Sequence, residues 1–243
     1  MTHFADPSPG IASLLVCCLL FGVLICQVGC GSSGGKPAAP DGIEVVKLAS
    51  GASYDLSVPR NLTPGKKLPL FFFLSPDGNP RAFTDRLKAF CHERDVILAG
   101  SYDYKNDIPH TAFLAKVVDC LTDLKKRLPV DEQKMFIGGF SGGAQASYVT
   151  CYFAPGHFTG ILANSGVLHE NLTSRFELEK MKVKKVAIIS GKTDDVVPAE
   201  HLFDDRDQLK SAGIKVDLQS HDGGHELAPA ENLQKAMAWL LNP

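Results

Sequence analysis

From residue 43 to residue 241 the chain switches repeatedly between two hydrophobic rhythms. Short apolar runs stand at 70–74 (LFFFL), 134–137, 160–163 and 185–191. Runs of this length are what strands buried on both faces require. Residues 96–99 and 214–218 read as two more strands, and 44–48 with 53–58 as an opening pair about the turn Ala49-Ser50-Gly51-Ala52. Between the runs, apolar residues recur at helical spacing. Phe83, Leu87 and Phe90 mark one face of 81–94, while Phe113, Leu114, Val117, Val118, Leu121 and Leu124 mark one face of 110–128. A helix can start at 144–149, and 200–212 and 231–241 supply the last two. This alternation predicts an α/β fold, with a mostly parallel central sheet and helices on both faces. Such sheets gather their reactive groups at the carboxyl ends of strands.

The front of the chain follows neither rhythm. Residues 11–28 are almost wholly apolar, at the lower limit for a membrane-spanning helix. A Gly/Ser/Pro-rich stretch of flexible composition then begins at Cys30. The division expected is 1–29 signal or anchor, 30–42 tether and 43–243 catalytic domain. An apolar run, a small residue, a cysteine and a glycine-serine tether resemble a bacterial lipoprotein signal, which implies cleavage before Cys30 and lipid on its thiol. Gln27 and the absence of Lys or Arg from residues 1–10 keep an uncleaved anchor as the alternative. Both readings place the domain outside the cytoplasm, held at a membrane.

Composition narrows the function classes. With 243 residues and 44% hydrophobic content, the chain can build one sizeable core. A formal charge of −2 gives no electrostatic case for a nucleic-acid partner. The densest basic run, Lys180, Lys182, Lys184 and Lys185, precedes a buried strand and reads as a solvated approach to it. Cys91, Cys120 and Cys151 lack metal-ligand spacing and read as buried thiols, with a disulfide among them left open.

The chemistry begins at Gly139-Phe140-Ser141-Gly142-Gly143, a G-x-S-x-G pattern between an apolar run and a small-residue helix. A nucleophilic serine must stand clear of its backbone on a sharp turn, and glycines relieve the crowding there. Ser141 is therefore the candidate nucleophile. A serine hydroxyl needs a base to take its proton as it attacks. The run at 185–191 leads into Lys192-Thr193-Asp194-Asp195, and the run at 214–218 is followed by Ser220-His221-Asp222-Gly223-Gly224-His225-Glu226. Serine, acid and histidine thus follow in that order, each near a strand end.

GFSGG, GKTDDVVP, GGHE and the strand-helix alternation between them resemble the α/β-hydrolase superfamily, specifically its small cap-poor esterases of the carboxylesterase and polyester-depolymerase-like type. The resemblance covers roughly residues 43–241. It implies Asp194 rather than Asp195 as the acid, and His225 rather than His221 as the base. The oxyanion donors it implies are the amide of Gly142 and one amide from Ser75-Pro76-Asp77-Gly78. The family usually carries His-Gly at the start of that loop. Pro76 has no amide hydrogen, so Asp77 or Gly78 is the candidate. Asn164-Ser165-Gly166 and Tyr102-Asp103-Tyr104 are expected to border the pocket. The stretch 167–182 is too short for a large lid, which implies an open pocket. The activity implied is cleavage of a small-molecule or oligomeric ester through an acyl-enzyme, with no metal and no organic cofactor. The alternatives are a peptidase or amidase using the same triad, and a hydrolase-like lipoprotein that only binds.

Overall fold

The computed structural model describes residues 42–60, 62–169, 172 and 174–243. The expected signal or anchor, Cys30 and the tether up to residue 41 lie outside the described residues.

Eight strands form one sheet: β1 (Glu44–Lys47), β2 (Ser53–Ser57), β3 (Leu68–Leu74), β4 (Ile97–Ser101), β5 (Val130–Phe140), β6 (Gly160–Asn164), β7 (Lys185–Gly191) and β8 (Lys215–His221). Their order is β1-β2-β4-β3-β5-β6-β7-β8. The first two strands join antiparallel and the other six run parallel. Six helices fill the connections: α1 (Arg81–Glu93), α2 (His110–Arg127), α3 (Gly142–Phe153), α4 (Arg175–Lys180), α5 (Ala199–Ser211) and α6 (Ala230–Leu241).

β3 explains why both faces are covered. All but one of its seven residues are buried, and they alternate between two cores. Leu70, Phe72 and Leu74 join the layer carrying α2, α3 and α5. Phe71 and Phe73 face α1 and α6, where Phe71 stacks on Phe136 at 4.7 Å and Phe73 on Phe83 at 4.4 Å. Period-two alternation on a strand with two apolar faces demands a helix layer on each. The α/β sheet read from the sequence is the fold observed.

Three elements differ from the pattern-based expectation. β5 begins at Val130, four residues before the apolar run, and its register against β3 shifts between Leu68 and Leu70. Its residues 131–133 are not buried, so no apolar signal marks them. β8 continues past Leu218 through Gln219 and Ser220 to His221, held by pairing with β7 rather than by apolar content. The stretch 167–182 contains α4, which Ser174 caps by accepting from the Glu177 amide. Buried Asp205 of α5 pins the start of that stretch, accepting from the Leu168 amide at 2.8 Å.

Cys91, Cys120 and Cys151 are free and buried. Burial pushes the Cys91 and Cys120 thiols up to about 12, which suppresses the reactive thiolate. Among the described residues no helix is long and apolar enough to cross a membrane.

Candidate active site

Ser141 sits between the last residue of β5 and the first of α3, with φ 53° and ψ −125°. That backbone region disfavours any residue with a Cβ, and holding serine there stores about 1–3 kcal/mol. The surroundings enforce it. A Cβ on Gly139 would lie 2.3 Å from the Gly143 carbonyl carbon, and one on Gly143 would lie 2.2 Å from the Leu74 carbonyl oxygen. Strand, turn and helix can approach this closely only because both positions are glycine. The Ser141 amide donates to the Asn164 carbonyl at 2.9 Å, fastening the turn to β6.

The hydroxyl of Ser141 lies 2.9 Å from His225 Nε2, and His225 Nδ1 lies 3.0 Å from each carboxylate oxygen of Asp194. An ionised carboxylate only accepts. Nδ1 therefore carries the ring proton, leaving Nε2 bare to receive the serine proton. The Asp194 side chain is fully buried. Burial alone would push its carboxyl up, but hydrogen bonds from the Val197 amide, His225 and Ser165 outweigh it and hold the group below the usual carboxylate range. Val196 donates to it as well, at 3.1 Å. Asp195 is exposed.

His221, the rival histidine, ends β8 and accepts from the Gly223 amide at 3.0 Å. It is buried, and its Nε2 has no hydrogen-bond partner among the described residues. The loop beyond it turns back on the acid loop, with Thr193 donating to the Gly223 carbonyl and Lys192 to that of His221. Asn164, wholly buried, accepts from the Ala228 amide at 2.8 Å and donates to Ser165 at 3.1 Å. One side chain thus links β6, the histidine loop and the residue that bonds Asp194.

The amide of Gly142 belongs to the first turn of α3, where N–H groups have no partner within the helix. In the loop after β3, the Gly78 amide is engaged, donating to the Ser75 carbonyl at 3.0 Å in a turn where Gly78 has φ 77°. The turn thus already uses the Gly78 amide hydrogen. The Asp77 amide has no such bond among the described residues, while its carboxylate accepts from Ser75 and from the Asn79 amide.

A cleft of about 160 Å³ opens at Ser141, lined by Gly142, Gln145, Ser165, Gly166, Val167 and Val197. Gly142 and Gln145 also line a neighbouring cavity of about 310 Å³ with Tyr104, Asn106, Asp107 and His110. The Tyr104 hydroxyl donates to the Gly142 carbonyl at 2.8 Å. Of the stretch 102–104, only Tyr104 faces the site. Tyr102 bonds Asp55, and Asp103 bonds Lys116 and the Ser53 amide. Nothing in the sequence pattern singled out Asn106 or Gln145; both are ordinary polar residues placed there by tertiary contacts. Among the described residues no group of three or more His, Cys, Asp or Glu side chains is placed to hold a metal ion.

Residues 106–241, more than half of the chain, match the phospholipase/carboxylesterase family. Solved structures share the fold. A thermostable esterase superposes with a TM-score of 0.61 at 19% identity, over 82% of this chain and 61% of its own length. A thermophilic esterase from the Planctomycetes species Thermogutta terrifontis gives 0.61 at 16% identity, over 82% and 90%. An S-formylglutathione hydrolase from Staphylococcus aureus gives 0.65 at 14%, over 82% and 98%. At these identities the likeness is one of fold, whereas the sequence match spans the serine, the acid and the histidine. The chain therefore belongs to the phospholipase/carboxylesterase family, a carboxylic ester hydrolase on an α/β-hydrolase fold.

Proposed function

We propose that the chain cleaves carboxylic esters through an acyl-enzyme, with Ser141 as nucleophile, His225 as base and Asp194 as its orienting acid. The observation that carries this reading is the unbroken relay from the Ser141 hydroxyl through both ring nitrogens of His225 to Asp194, every link within 3.0 Å. The Ser141 oxygen bonds to the ester carbonyl carbon while its proton passes to His225 Nε2. Charge gathering on the carbonyl oxygen meets the amides of Gly142 and Asp77, and losing one such donor costs about 3 kcal/mol. The intermediate collapses, the carbon–oxygen bond to the alcohol breaks, and the leaving oxygen takes the proton from His225. Water then attacks the acyl-enzyme by the same route and frees the acid. Throughout, Asp194 stays ionised and stabilises the imidazolium.

The substrate in this reading is a small or oligomeric ester, and the domain works outside the cytoplasm on a membrane tether at Cys30. A fluorophosphonate probe should label the wild-type chain at Ser141 and leave Ser141→Ala unlabelled. Short-acyl nitrophenyl esters should turn over and peptide anilides should not. Folded wild-type protein that neither takes the probe nor turns over any ester would end the proposal. Mass analysis of the mature amino terminus tests the tether, with a lipid-modified Cys30 expected.

A further inference from the structure

A separate cavity, of about 510 Å³, opens at the amino ends of the strands whose carboxyl ends carry the site. That volume lies in the range of small-molecule pockets. Its floor is apolar, with Phe136 and Leu240 packed into the α1/α6 core. Its walls carry four lysines, Lys134, Lys184, Lys185 and Lys215, and no Asp or Glu side chain among the described residues lines it.

Backbone pairing imposes this clustering. The Thr159 amide donates to the Met135 carbonyl at 2.7 Å, that of Lys184 to Thr159 at 2.8 Å, and that of Lys215 to Lys184 at 3.0 Å. Lys185 and Lys215 are direct register partners on β7 and β8, an unfavourable juxtaposition of like charges. The Lys185 ammonium lies over the Trp239 ring, 5.2 Å from its centroid, and donates to the carbonyl oxygens of Trp239 and Asn242. Burial, and then the Lys215 charge, pushes that ammonium below its usual range. Lys134, Lys184 and Lys215 have no ion-pair partner among the described residues. A bound anion would relieve this repulsion, and the floor would shelter an apolar tail from water.

We propose that this cavity binds an anionic amphiphile, its single carboxylate or phosphate head among the four lysines and its tail along Phe136 and Leu240. The ligand is either a free long-chain acid or the anionic lipid of a bilayer, and the test separates the two. Equilibrium dialysis of the full chain against decanoate below its micelle concentration gives the affinity, and the fluorescence of Trp239, the only tryptophan, gives a second readout. Decanoate should bind saturably and at least tenfold tighter than decanol or inorganic phosphate. Paired Lys185→Met and Lys215→Met changes should weaken it at least tenfold without altering decanol binding. Paired Lys134→Gln and Lys184→Gln, both at exposed positions, should weaken it several-fold and serve if the first pair fails to fold.

Sedimentation with phosphatidylglycerol vesicles distinguishes the sources. Binding above that to phosphatidylcholine, lost in the lysine variants, assigns the head to a bilayer lipid. Decanoate binding without that difference assigns it to the free acid. The proposal fails if decanol binds as tightly as decanoate, or if the lysine changes leave decanoate binding intact.

Discussion

The two ends of the parallel sheet are built from the same strands and treat charge in opposite ways. At the carboxyl end, Asp194 is fully buried and remains an anion, because fixed donors from Val196, Val197, Ser165 and His225 converge on it. At the amino end, Lys134, Lys184 and Lys215 stay exposed, and Lys185 reaches only carbonyl oxygens and a ring face. Burying an ion is costly unless preorganised dipoles replace the lost water. The carboxyl end supplies those dipoles from turns where strands meet helices. At the amino end the charges stay near solvent and keep their attraction for an outside ion.

The comparison is tested most severely by activity. Ser141→Ala should lower ester kcat at least ~10⁴-fold, and Asp194→Asn by about 10⁴-fold through the wrong histidine tautomer. Asp195→Asn and Lys215→Gln should leave kcat within about twofold, because both side chains are exposed and outside the relay. Loss of activity in Asp195→Asn with none in Asp194→Asn would reverse the assignment of the acid.

Next in size is the support beneath the carboxyl end. Asn164→Ala strands the Ala228 amide and removes a donor to Ser165. Urea unfolding should show a loss of about 1–3 kcal/mol. An unchanged midpoint would mean that the histidine loop is not held from β6.

A pH series sets two buried carboxylates against each other. Burial, with the nearby Asp204 charge adding, raises the Asp205 carboxyl to about 6 against the Leu168 amide's opposing effect. Between the ordinary aspartate value of 3.8 and about 6, the native chain therefore holds more protons than the unfolded one. Asp205 accordingly contributes stability that is complete below 3.8 and lost as the pH rises through about 6. Up to about 3 kcal/mol is involved. Asp194 has the opposite sign: its depressed value adds stability above 3.8 that is lost as the pH falls through its folded value. Wild type minus Asp205→Asn, followed by urea unfolding at pH 4, 5, 6 and 7, should fall with rising pH; a flat difference would refute the assignment.

The smallest effect belongs to the amino end. Lys215→Gln removes a like charge opposite Lys185 and should raise stability by about 0.2–0.5 kcal/mol, the gain shrinking in high salt. A loss instead would mean that Lys215 has a structural partner.

Elements whose burial and period agree were legible in the sequence. The LFFFL strand, the helix bearing Phe113 to Leu124, and the glycines around Ser141 all announce their environment in residue type. Residues 131–133 of β5 and the polar end of β8 were not, because backbone pairing to a neighbour holds them and pairing leaves no mark on side-chain composition. Gly78 illustrates a subtler limit. Its residue type suits either an oxyanion donor or a plain turn, and its bond to Ser75 is visible only in the folded chain. The Asn164 link spans 64 positions to Ala228, a distance across which local pattern carries no information.

The chain alone determined its layers, its strand-helix alternation and the residues from which a serine relay can be drawn, since each depends on local burial, local backbone freedom or residue chemistry. Tertiary structure decided that Asp194 and not Asp195 meets the histidine, that His225 and not His221 meets the serine, and that four lysines share one cavity. Those outcomes depend on where separate strands end relative to one another. Sheet register sets those positions, and register forms only when distant segments of the chain pair.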